Sequence, residues 1–62
     1  MCLSTVYKNT MTDTNIAMKN VMRIECKEGC VILTDLMDRT LTIQGQLVEA
    51  NLVDGFVIVK EN

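Results

Sequence analysis

Apolar and polar residues alternate along most of this chain, and turn residues recur about every ten positions. A period of two marks a β-strand with one face in a core and the other in water, and no segment carries a helical period. The pattern predicts short strands packed as a sandwich or barrel. The first strand runs from Cys2 to Tyr7, with Leu3, Thr5 and Tyr7 alternating against Cys2, Ser4 and Val6. The polar stretch Lys8 to Asn15 is a loop. Ile16 to Lys19 reads as a short strand or one helical turn, leading into a strand from Val21 to Lys27.

Glu28-Gly29 lies between two β-rich runs, and glycine supplies the positive φ of a two-residue hairpin turn. Counting outward pairs Lys27 with Cys30, Cys26 with Val31, Glu25 with Ile32 and Ile24 with Leu33, so that Met22, Ile24, Cys26, Val31 and Leu33 share an apolar face. Asp35 to Arg39 forms the next turn. Beyond it, Thr40 to Gln44 alternates cleanly with Leu41 and Ile43 on one side. Gly45 opens a last hairpin whose turn is Asp54-Gly55, a strong two-residue signal. That turn pairs Val53 with Phe56, Leu52 with Val57, Asn51 with Ile58 and Ala50 with Val59. Ala50, Leu52, Val57 and Val59 then form a core face, and Leu47, Val53, Phe56 and Ile58 an apolar outer face. So much apolar surface on a small protein calls for a partner, and a twofold homodimer is the commonest arrangement.

The chain has 62 residues, enough for one small domain over 1–62 and too few for deep pockets. It lacks histidine, tryptophan and proline, and has one Tyr and one Phe. That composition excludes Ser/His/Asp and Cys/His catalysis and imidazole metal sites, and it offers no platform for stacking bases. No residue pair supplies a nucleophile with its base, so the chain is read as a non-enzyme. A net charge of −2 disfavours nonspecific nucleic-acid binding, which draws its energy from excess Lys and Arg. The start has neither a basic segment nor an apolar run of secretory type, and no run is long enough to cross a membrane, so a cytoplasmic location is expected. Three cysteines, an odd number, are expected as reduced thiols there.

Cys2 carries the most chemistry. Removal of Met1 would put an α-amino group and a thiolate on one residue, an N,S chelate suited to nickel(II) or copper; the thiolate also suits zinc or copper(I). One chelate supplies two ligands, and a dimer would supply four. The plain alternative makes Cys2 an ordinary strand residue. Cys26 and Cys30 have a C-x3-C spacing, but the hairpin register sends them to opposite faces, which argues against a shared metal or a disulfide. Cys26 is then a buried apolar residue and Cys30 partly exposed. Met11, Met18, Met22 and Met37 read as core gap-fillers, and the eight carboxylates as solvated turn and surface groups.

Several segments together resemble the CooT family: the start Met1-Cys2-Leu3-Ser4-Thr5-Val6-Tyr7, the run Val21 to Glu25, the segment Gly29 to Leu36, Ile43-Gln44-Gly45, and the closing hairpin from Leu52-Val53 to Ile58-Val59. The resemblance spans nearly the whole chain, and its most specific feature is the Met-Cys start. It implies a dimeric nickel(II)-binding protein with Cys2 as the metal ligand, acting as a metallochaperone or carrier for a nickel enzyme such as carbon monoxide dehydrogenase. Cys26 and Cys30 match nothing in that pattern. The expected fold is all-β, a small SH3-like or Sm-like β-barrel of about six or seven short strands. The homodimer would form through the outer face of the last hairpin or through the N-terminal strand. The alternative function is a small Sm-like interaction module that binds RNA or a protein and has no metal role.

Overall fold

The structure is a computed structural model that describes residues 3–62. Five strands follow one another: β1 Ser4–Lys8, β2 Ile16–Lys27, β3 Cys30–Asp35, β4 Thr40–Asn51 and β5 Phe56–Glu61, with a short 3-10 turn at Asp13–Asn15. They close into a ring in the order β1-β2-β3-β4-β5, and the first and last strands pair in parallel. The other four pairings are antiparallel. The all-β expectation therefore holds, but the described residues form five strands and not six or seven.

The difference comes from two segments that run straight through expected breaks. Asn20 takes φ 56°, a left-handed conformation that asparagine tolerates better than most residues, and its carbonyl accepts the N–H of Leu36 at 2.9 Å. The strand bends there without ending. Ile16 to Val21 pairs with β1, and Val21 to Lys27 pairs with β3. At Gly45 β4 likewise runs on unbroken, its first half paired with β3 and its second half with β5. A Cβ at Gly45 would overlap the Lys60 carbonyl oxygen and lie 2.9 Å from its carbon, so only glycine lets the two backbones approach.

The first hairpin matches its expected register pair for pair, from Lys27↔Cys30 to Ile24↔Leu33. The last one does not. Asn51 pairs with Phe56, Ala50 with Val57 and Glu49 with Ile58, so the turn holds four residues, Leu52 to Gly55. A register shift between Leu47 and Glu49 then brings Leu47 opposite Val59. Leu52 and Val53 consequently stand in the turn, 75% and 90% exposed, and neither joins a strand face.

The core consists of Val6, Val21, Val31, Leu33, Ile43, Val57 and Val59, each 3% exposed or less. All but Leu33 are β-branched, the shape that packs well on a pleated surface. Ala17, Met18 and Ile24 pack against them from the margin.

Candidate functional site

Two rows of side chains show how burial falls off across the sheet. Cys26, Val31 and Ile43 are neighbours across β2, β3 and β4, as are Ile24, Leu33 and Leu41. The central β3 residues, Val31 and Leu33, are 1% and 0% exposed, whereas Leu41 is 37% exposed, Ile24 half-buried and Cys26 exposed. These margin residues share the inward face but are less covered than the centre; among the described residues the second half of β2 pairs only with β3. Cys26 is thus accessible and not buried as expected, and the expected apolar face from Met22 to Leu33 is buried only at its centre.

Across from this margin lies the end of β4. Ser4, Met22, Arg23, Ile24, Ala50 and Leu52 line a depression of about 240 Å³ together with the buried Val21 and Val57. The N-terminal strand borders the same depression. Ser4 is opposite Val21, the N–H of Thr5 donates to the Gly55 carbonyl at 2.9 Å, and the Leu3 carbonyl oxygen lies 3.7 Å from where a Cβ on Gly55 would stand. Cys2, the expected metal ligand, lies outside the described residues.

Among the described residues, no three His, Cys, Asp or Glu side chains come together as a metal-binding group. Cys26 and Cys30 are free thiols whose register places them on opposite faces. The methionines depart from expectation. Met18 packs on the core, but Met11, Met22 and Met37 are 52%, 51% and 73% exposed. Met37 stands in a turn and Met22 at the register shift in β2, positions that lift a side chain away from the core.

One carboxylate is not the solvated group expected from its place in the sequence. Asp35 is 3% exposed and accepts hydrogen bonds from the N–H of Met37 and of Arg39, both 2.9 Å, and from Arg39 Nε at 2.8 Å. The Arg39 backbone N–H does most to hold its carboxyl below the usual carboxylate range; the Arg39 guanidinium and the Met37 N–H assist, against the opposing effect of burial. The group locks the β3–β4 turn. An Asp followed two and four residues on by donors in a turn is a sequence signal for this arrangement.

The outer side of the ring joins the two surfaces named as dimer candidates. Thr5 pairs with Phe56 and Tyr7 with Ile58, while Tyr7 also faces Ile16. All five are half-buried. The outer face of the last hairpin and that of the N-terminal strand are therefore one continuous surface.

Comparison with known proteins bears on the whole chain. No curated protein sequence matches it significantly. The crystal structure of a presumptive CooT from Carboxydothermus hydrogenoformans superposes with a TM-score of 0.83 over 98% of each chain, at 14% sequence identity, a likeness of fold alone. The sequence profile of the family described as CO dehydrogenase accessory protein CooT matches residues 1–60. With nearly every residue inside that match, this chain belongs to the CooT family of CO dehydrogenase accessory proteins.

Proposed function

We propose that this protein is a nickel(II) carrier, a metallochaperone in the maturation of a nickel enzyme such as carbon monoxide dehydrogenase, with Cys2 as a thiolate ligand. The observation that carries the reading is the family match from residue 1 to residue 60, which takes in Cys2. A thiolate with nitrogen donors suits nickel(II), and the thiol must lose its proton to bind. Cys2 is bonded to Leu3, which borders the turn of the last hairpin.

In this reading the ring is an SH3-like or Sm-like barrel, a small rigid platform with no catalytic activity of its own. It works in the cytoplasm as a homodimer, joined through the surface that carries Tyr7, Phe56 and Ile58. A site near the chain end and shared by two copies releases its metal with little rearrangement.

The test is an anaerobic nickel titration of protein whose N-terminus has been defined by mass spectrometry, read by thiolate-to-nickel charge-transfer absorption. One metal per two chains is expected, lost in Cys2→Ser and kept in Cys26→Ser and Cys30→Ser. Nickel binding retained in Cys2→Ser would overturn the proposal.

A further inference from the structure

Between the first halves of β2 and β4 the ring leaves an open corner. Ile16 to Val21 meets β1 and Thr40 to Gln44 meets β3, and among the described residues no pairing joins β2 to β4. A depression of about 450 Å³ occupies that corner, within the size range of small-molecule pockets. Its apolar floor is Met18, which packs on the core, and Leu41, whose partner across the sheet is the fully buried Leu33. Lys19 and Arg39, both exposed, and Asp35 are the charged residues of its lining. Asp35 is 3% exposed and its two oxygens are already engaged, Oδ1 by the N–H of Met37 and of Arg39 and Oδ2 by Arg39 Nε. The Nε bond at 2.8 Å holds the plane of the guanidinium, whose terminal nitrogens make no hydrogen bond among the described residues. Lys19 has no ion pair among them either.

We propose that this corner binds a small monocarboxylate with a short apolar body, its carboxylate on Arg39 and Lys19 and its body on Met18 and Leu41. The pattern of donors selects that ligand, and not net charge. Guanidinium and ammonium groups can only donate, and the one acid of the lining has no oxygen left to compete for them. A planar group with two acceptor oxygens matches two N–H groups of a guanidinium that is already held at Nε, whereas a carboxamide offers one such oxygen. A phosphate calls for converging backbone N–H groups, and those of the neighbouring turn, at Met37 and Arg39, serve Asp35. The floor of Met18 and Leu41 gives an apolar body a place that water fills poorly, so a bare anion gains less there than one with a hydrocarbon chain. The site is separate from metal binding at Cys2.

The test uses the metal-free full-length chain and sodium hexanoate, read by amide and methyl chemical shifts. Shifts that saturate at millimolar probe should map to Met18, Lys19, Arg39 and Leu41. Hexanamide, similar in shape but uncharged, and acetate, which lacks the apolar body, should each bind at least ~5-fold more weakly. Both comparisons use the unaltered chain and do not depend on the folding of a variant. Lys19→Gln should weaken hexanoate by ~3-fold while keeping a dispersed amide spectrum. No saturation up to about 50 mM hexanoate, shifts that map elsewhere, or hexanamide or acetate binding as well as hexanoate would overturn the proposal. So would unchanged binding by Lys19→Gln, or displacement of hexanoate by a tripeptide with a free C-terminal Leu at far lower concentration, which would assign the corner to a protein C-terminus.

Discussion

The two hairpins carry similar turn signals, a carboxylate followed by glycine, and fold differently. Glu28-Gly29 forms a two-residue turn with Gly29 at φ 81°. Asp54-Gly55 is only the end of a four-residue turn, in which Gly55 at φ 78° is the left-handed residue that returns the chain to β5. The difference lies upstream. Asn51 Oδ1 accepts the N–H of Val53 at 3.1 Å and of Asp54 at 2.9 Å, while the Asn51 carbonyl accepts the N–H of Gly55 at 2.9 Å. Its amide group also donates to Asp54 Oδ2 at 3.1 Å. Asparagine at this position starts the turn by itself, whereas Cys26 and Lys27 before the first turn offer no such side-chain acceptor. A turn dipeptide is thus read correctly only with the residues before it.

The comparison can be broken most severely at Gly45, whose close approach to Lys60 sets the register of the second hairpin. Gly45→Ala should destabilise the fold by about 3 kcal/mol or more, because backbone and not a flexible side chain must give way. Chemical denaturation would measure it, and a loss below about 1 kcal/mol would mean that the two strands separate easily there.

Asn51→Ala should cost about 1 kcal/mol through loss of its hydrogen bonds to the turn, against about 0.5 kcal/mol or less for Glu28→Ala. Equal losses would remove the explanation given for the second turn. Deletion of Leu52 and Val53 sharpens the contrast further. It would leave Asn51 opposite Phe56 with Asp-Gly as a two-residue turn, so stability should change by about 1 kcal/mol or less, and the amide spectrum should shift only near the turn.

The smallest effect at neutral pH belongs to the β3–β4 turn. The carboxyl of Asp35 titrates below its ordinary value of 3.8 in the folded chain, so its ionised form favours folding. That contribution is fully present above the unfolded value and is lost as pH falls through the lower, folded one. Urea midpoints measured between pH 5 and pH 2 should fall more steeply in the wild-type chain than in Asp35→Asn. Parallel curves would assign the acid sensitivity to other carboxylates.

How much was legible in the sequence differs from residue to residue for identifiable reasons. The first hairpin was readable because its register depends on two turn residues and an alternation that begins beside them. The continuity of the strands through Asn20 and Gly45 is not legible in the sequence, since a residue that tolerates a left-handed φ, as at Asn20, or a close backbone approach, as at Gly45, occurs at strand ends as well as within strands. Asp35 looked like a surface carboxylate because its burial depends on how the following turn folds back over it. Cys2 was singled out by its position next to the initiator and by the family likeness, neither of which requires a fold.

By itself the sequence determined that the chain is β-structured, where the first hairpin turns and which of that hairpin's side chains from Ile24 to Leu33 share a face, because a period of two and a left-handed glycine are local properties. Only the tertiary structure decided that the segments merge into five strands, that β1 and β5 close the ring in parallel, and that inward-facing Cys26 and Leu41 stay exposed while Ile24 is half-buried. Whether a side chain on the inward face is buried depends on a strand arriving from elsewhere in the chain to cover it, and alternation along one strand carries no information about that arrival.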